Sequence, residues 1–98
     1  MGLDEQATYR LKAMVMDSAR ISWEVPHSKM RAAQREVPIF VAERIIRAVE
    51  SLRVTKSEDG SITWRVSGHD PDGRPVDVVV FPASPSVIRV ITVIRTDE

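Results

Sequence analysis

Two stretches decide the fold, RPVDVVVF at residues 74–81 and VIRVITVIR at residues 87–95. Both are rich in β-branched residues, and apart from Arg74 and Asp77 the first is apolar at odd and even positions alike. A strand that is apolar on both faces belongs at the centre of a sheet, covered on both sides or covered on one side by a partner. We therefore expect both strands to be central, and we expect a second copy or another protein on the face that the short chain cannot cover. β-propensity alone is the alternative explanation of so much valine and isoleucine.

The residues before these strands also alternate. Ile62, Trp64 and Val66 are predicted to face the core, which leaves Thr63, Arg65 and Ser67 together on the polar face. Asp59-Gly60 predicts a tight hairpin, and turns are expected at residues 70–73 and 82–85. The carboxyl-terminal half is thus predicted to be an antiparallel meander of three to four strands.

Helical spacing dominates the first half of the chain. We predict a first helix over residues 4–18 and a short extended connection over 21–25. A second helix is predicted over 27–36, with Met30, Ala33 and Val37 facing inward. A third helix is predicted to start at Pro38, with its apolar stripe at Val41, Ile45, Ala48, Val49 and Leu52. Helices followed by a meander make an α+β fold.

Composition limits the classes of protein that the chain can belong to. Its 98 residues suit one domain, residues 1–98, and no segment has the roughly 20 apolar residues of a membrane span. The absence of cysteine and of a secretory signal favours a cytoplasmic location. Fourteen basic and fourteen acidic residues give zero net charge, which argues against a protein that coats nucleic acid nonspecifically.

His27, Arg31 and Arg35 recur at steps of four residues. On a helix each such step turns by only about 40°, so one imidazole and two guanidiniums share a face. Such a face suits a phosphate, because one guanidinium donates two parallel hydrogen bonds to phosphate oxygens and histidine can transfer a proton near neutral pH. The alternative is a solvated helix face whose arginines pair with Glu24 or Glu36.

The strands carry further candidates. Arg65 lies on the polar face of its strand, and strict alternation places Arg89 and Arg95 on one face of the last strand with Thr92 on the other. Such cations could line an anion site or simply protect strand edges from aggregation. Asp70 and Asp72 resemble the start of a calcium loop, but the remaining ligands are missing, so no metal site is predicted.

In order and spacing, these pieces resemble a family of small bacterial domains grouped with the RelE/ParE and BrnT-type toxins. The similarity extends over about residues 21–95. Its matching residues are Ile21-Ser22, His27, Arg31, Arg35 and Val37, then Trp64-Arg65-Val66, Gly68, Asp72-Gly73-Arg74-Pro75, Val78-Val79-Val80 and Ile91-Thr92-Val93.

The resemblance implies a RelE-like fold, with two or three amino-terminal helices packed on a strongly twisted sheet. It also implies a ribonuclease toxin of a toxin–antitoxin pair that is neutralised by a small antitoxin protein, and we expect such an enzyme here to need no metal or cofactor. His27 would transfer a proton while Arg31 and Arg35 contact phosphate. Arg65, Thr92 and Arg95 would be secondary RNA-binding residues.

Two other readings remain open at this point. The chain could be an interaction module without catalytic activity, either a homodimer or a partner in a toxin–antitoxin complex. It could also be an accessory protein that binds anions or nucleic acid without cleaving it.

Overall fold

The computed structural model describes residues 2–23, 28–56 and 59–96, which form three helices and five strands. The helices are α1 (Leu3–Met16), α2 (Ser28–Gln34) and α3 (Ile39–Ala48). The strands are β1 (Arg20–Ser22), β2 (Ser51–Lys56), β3 (Ile62–His69), β4 (Pro75–Ser84) and β5 (Val87–Arg95). The α+β class is confirmed.

The sheet has the order β1-β5-β4-β3-β2 and is mixed, because β1 runs parallel to β5. The expectation of three to four antiparallel strands was therefore incomplete. Part of the segment expected as an extended connection is this additional edge strand. Ile21 pairs with Ile88, and the Arg20 amide donates to the Ser86 carbonyl at 2.9 Å. Three residues are too few for their own periodicity to predict a paired strand.

β4 and β5 are central, as predicted, and one face of the sheet forms the core. The fully buried strand residues of this inner face are Val66, Val76, Val78, Val80, Ile88, Val90 and Val93. Each such side chain contributes about 1.5–3 kcal/mol on burial. This row supplies most of the hydrophobic surface on which the helices pack.

All three helices lie against that inner face. The Arg10 guanidinium of α1 lies 5.7 Å from the ring centre of Trp64, and Ile45 of α3 lies over Gly68. α1 also reaches the edge of the sheet, where the Asp4 carboxylate accepts the Val54 amide at 2.9 Å. β2 is an edge strand, so this contact covers one of its outward hydrogen-bonding groups.

α2 begins at Ser28, and its inward side differs from the expected one. Ser28 and Ala32 are buried, whereas Met30 is 49% exposed and Ala33 is exposed. Val37 is buried as predicted. Two small residues four positions apart let the helix backbone approach β5 closely, which larger apolar residues would prevent.

α3 ends earlier than its apolar stripe suggested. Val41, Ile45 and Val49 are buried as predicted, but Ala48 is exposed and Leu52 belongs to β2. Val49 adopts left-handed backbone angles (φ 45°, ψ 52°) and stops the helix. A β-branched residue is strained in this region, and burial of its side chain offsets part of that cost.

Two turns differ from their predictions. β4 continues through Pro82 to Ser84, so only Pro85 and Ser86 form the turn expected over 82–85. Pro82 is tolerated because β3–β4 pairing stops at Val80, and its missing amide removes no bond to β3. The turn at residues 70–73 is confirmed, with Gly73 at φ 82°.

The β2–β3 hairpin is one residue out of the register that a two-residue Asp59-Gly60 turn imposes. Such a turn would place Val54 opposite Arg65, whereas Arg53 lies there. A shift of one residue moves every side chain of a strand to the other face relative to its partner. The shift therefore places the polar side chains of β2 and β3 on the same face of the sheet.

β5 contains a register shift opposite Val79 and Val80. Val79 pairs with Thr92, but Val80 pairs with Val90, so Ile91 is the extra residue of a bulge. The bulge reverses the alternation, and Arg95 joins Val90 and Val93 on the inner face. The prediction that Arg89 and Arg95 share a face was wrong for this reason.

We predict that Gly68→Ala lowers the free energy of unfolding by about 1–2 kcal/mol, as overpacking does. A Cβ at this position would lie 3.0 Å from both Cγ1 and Cγ2 of Ile45, whose side chain is buried and β-branched. Urea denaturation of the double-mutant cycle with Ile45→Ala measures the contact. The cost should vanish in the Ile45→Ala background, and an equal cost in both backgrounds would contradict the explanation.

Candidate functional site

The two arginines of the predicted phosphate-binding face lie one helical turn apart. The Arg35 amide donates to the Arg31 carbonyl at 3.0 Å, so the helical hydrogen bonding of α2 extends past Gln34. Arg31 is exposed and Arg35 is half-buried. His27 lies outside the described residues, so its placement relative to the two guanidiniums stays a prediction.

The two guanidiniums are not neutralised by the described part of the chain. Arg31 Nη1 donates to Gln34 Oε1 at 3.4 Å, and this acceptor is neutral, so the arginine charge is not compensated there. Among residues 2–23, 28–56 and 59–96, no carboxylate forms an ion pair with Arg31 or Arg35. The Glu36 carboxylate pairs with neither arginine, and the Glu36 backbone carbonyl accepts a hydrogen bond from Arg95. Two cations without a counterion in the described chain favour an anion from outside.

Arg95 fixes the end of α2 to the sheet. Its Nε donates to the Arg35 carbonyl at 2.6 Å and its Nη2 to the Glu36 carbonyl at 3.1 Å. Its Nη1 forms an ion pair with Asp70 Oδ2 at 2.8 Å. Arg95 is only 7% exposed, so this guanidinium acts as an internal cross-link between α2, β5 and the β3–β4 turn. We therefore leave it out of the surface that contacts a ligand.

Asp70 completes this cross-link from the turn. Its Oδ1 accepts the amides of Asp72 at 3.0 Å and Arg74 at 2.9 Å. The hydrogen bond from Arg95, followed by those from the backbone, lowers the pKa of Asp70 below its ordinary 3.8, against the opposing effect of burial. The aspartates that resemble a calcium loop are thus explained by the turn and by Arg95.

Arg65 and Thr92 lie on the other face of the sheet, which we call the open face. They share one row across the strands, because both pair with Val79. Arg65 Nε forms a short ion pair with Asp77, whose side chain is buried. Thr63 and Ser67 lie on the same face, as predicted from alternation.

The open face also carries an arginine that the sequence did not single out. Arg53 lies directly opposite Arg65 across β2 and β3. Both line a shallow depression of about 420 Å³, whose other charged or polar lining side chains are Glu50, Ser51, Ser67, His69, Asp77 and Thr96. Arg53 was missed because the tight hairpin expected at Asp59-Gly60 would place it opposite Val66.

The predicted site residues therefore belong to two separate surfaces. α2, with Arg31 and Arg35, lies on the inner side of the sheet, where its last carbonyls meet Arg95. Arg65 and Thr92 face the opposite side. The structure does not bring them into one cleft, so any phosphate contact by α2 and any by the open face are independent.

The described residues lack two further kinds of site. No described helix is both long and apolar enough to cross a bilayer. Within the same residues, no group of three or more histidine, cysteine, aspartate or glutamate side chains is arranged to hold a metal ion.

Comparison with known proteins gives no family assignment. No family model, no curated protein and no solved structure matches this chain.

The Asp70–Arg95 pair predicts how stability depends on pH. Because folding lowers the pKa of Asp70, its contribution is present above the ordinary value of 3.8 and is lost as pH falls through the folded-state pKa. We expect Asp70→Asn to lower the melting temperature by several degrees at pH 7 and to approach the wild type in acid. The measurement is thermal unfolding from pH 7 downward.

Asp72→Asn is the matched control, because Asp72 is an exposed carboxylate in the same turn. This variant should follow the wild-type profile throughout. A constant difference between Asp70→Asn and wild type down to the lowest pH would show that the ion pair is not the origin of the effect.

Proposed function

We propose that the protein is a toxin-like ribonuclease that cleaves RNA phosphodiesters without a metal, with the exposed side of α2 as its RNA-binding surface. The observation that carries the proposal is the pair Arg31 and Arg35, one turn apart and without a carboxylate partner in the described chain. Support also comes from the resemblance of residues 21–95 to toxin-like bacterial domains. A small antitoxin protein is the partner that this resemblance implies.

The proposed chemistry is attack of the RNA 2′-hydroxyl on the adjacent phosphorus. The bond between the 2′-oxygen and phosphorus forms while the bond from phosphorus to the 5′-oxygen breaks, which gives a 2′,3′-cyclic phosphate. The 2′-hydroxyl loses a proton and the leaving 5′-oxygen gains one. Negative charge grows on the phosphoryl oxygens in the transition state, and guanidiniums stabilise it through paired hydrogen bonds. His27 would accept or supply the proton that the reaction moves. The Arg95 cross-link holds the carbonyl end of α2, so Arg35 starts from a fixed backbone position. A fixed position lowers the entropy lost when the phosphate binds.

The test is induced expression of the wild type beside His27→Ala/Arg31→Ala/Arg35→Ala, with growth and RNA integrity followed together. The wild type should arrest growth and cleave RNA, and the triple variant should do neither. With purified protein, loss of two phosphate contacts should reduce the slope of log affinity for single-stranded RNA against log salt by about 1.4.

Lys12→Ala/Arg47→Ala is the matched control, since it removes two exposed cations from α1 and α3. It should retain both activities. Cleavage should also persist in a metal chelator. Equal arrest by the wild type and the triple variant, or no cleavage by a folded wild type, would refute the proposal.

A second candidate function, a non-catalytic interaction module, is favoured by the open face of the sheet. Val79 and Ile94 are half-buried there, and Phe81 is 38% exposed. In the described chain all helices lie on the inner face, so the open face of the central strands is available to a second copy or to an antitoxin. Apolar side chains on a sheet face that no described helix covers are one feature of a protein interface.

The interaction module predicts self-association or antitoxin binding without RNA cleavage. Phe81→Glu places a charge on the open face and should abolish the complex, as sedimentation velocity would show. Lys56→Glu is the control, because Lys56 is exposed on the same sheet but on its inner side. A wild type that stays monomeric and captures no antitoxin would exclude this function.

A further inference from the structure

Arg53 and Arg65 face each other directly across the antiparallel strands β2 and β3. Directly opposite side chains have their Cβ atoms about 4.5–5.5 Å apart, and like charges in this arrangement are destabilising. In the neighbouring rows Ser51 pairs with Ser67 and Thr55 with Thr63. The Asp77 carboxylate, opposite Ser67 on β4, forms an ion pair with Arg65 but not with Arg53. A local conflict of this kind in an otherwise regular sheet is typical of a functional site.

The two guanidiniums differ in how they are held. Asp77 binds Arg65 through Nε alone, and Asp77 is only 4% exposed. The Nη groups of Arg65 therefore make no hydrogen bond to the described residues and are available to a ligand. Arg53 is exposed and forms no ion pair or side-chain hydrogen bond within the described chain. A guanidinium held in position beside an exposed one suits a tetrahedral oxyanion.

The surroundings add hydrogen-bond donors as well as the carboxylates of Glu50 and Asp77. Ser51 and Ser67 flank the arginine pair in the next row, and both line the depression of about 420 Å³. His69 also lines the depression and is exposed. Serine hydroxyls donate to phosphate oxygens. Of the two lining carboxylates, Asp77 is bound by Arg65, which leaves Glu50 to oppose an anion.

We propose that this depression is a phosphate-binding site, formed by Arg53 and Arg65 with the hydroxyls of Ser51 and Ser67, and that Asp77 positions Arg65 within it. The ligand class is a phosphate group, either a free or terminal monoester or a diester of a nucleic-acid backbone. The site goes beyond the proposed function, because it lies on the face of the sheet opposite α2.

The test is titration of the full chain followed by amide NMR, with three separate probes. They are inorganic phosphate, uridine 5′-monophosphate, and a dinucleoside monophosphate that carries only a diester. Concentrations up to about 20 mM saturate a site of millimolar affinity. Shifts should centre on residues 51–53 and 65–69. Tighter binding of the first two probes identifies a monoester site, and tighter binding of the third identifies a backbone site.

Arg53→Gln and Arg65→Gln should each weaken binding about tenfold, since each removes charged hydrogen bonds. Arg53→Gln should also raise the melting temperature, because it removes the like-charge pair. Lys56→Gln removes one charge from the other side of the same strand and should change affinity by less than about twofold.

Failure to bind any of the three probes, or equal losses in Lys56→Gln and Arg53→Gln, would overturn the proposal. The readout is independent of ribonuclease activity. His27→Ala/Arg31→Ala/Arg35→Ala should still bind phosphate at the open face, so a failed α2 hypothesis and a failed phosphate site give different results.

Discussion

The arrangement of this molecule depends on the contacts that the buried guanidinium of Arg95 makes. This guanidinium joins the end of β5 to a carboxylate in the β3–β4 turn and to two carbonyls that follow α2. A buried charge is costly unless it is paired and hydrogen-bonded, and here three segments share the task of satisfying it. The position of α2 on the sheet, and with it the position of Arg31 and Arg35, follows from that requirement.

The broad architecture could be predicted from the sequence because it rests on patterns of several residues. The boundaries of β5 and the central place of β4 and β5 follow from long apolar runs. β1 could not be predicted in the same way, since three residues carry little periodic signal and its pairing with β5 joins distant parts of the chain. The buried side of α2 differs from the predicted one because small residues, rather than the largest apolar ones, face the sheet.

At both candidate sites on the sheet, a shift of one residue in strand pairing decides which face a side chain occupies. The bulge at Ile91 turns Arg95 into the core, and the hairpin register brings Arg53 opposite Arg65. Neither depends on composition or on alternation, and both depend on pairings between strands that a single sequence does not reveal. Arg31 and Arg35 were predictable because their relation is local, within one turn of a helix. The resemblance to toxin-like domains adds roles for these residues, which the experiments above address.

The contact between Asp4 and Val54 has a consequence for folding during synthesis. Asp4 belongs to α1, which is synthesised before β2, and Val54 belongs to an edge strand made 50 residues later. The group that covers this edge is therefore already available when β2 appears, before β3, β4 and β5 exist. An edge strand with one outward amide already bonded offers fewer sites for pairing with other nascent chains. α1 thus reduces the risk of wrong strand pairing while the remaining strands of the sheet are still being synthesised.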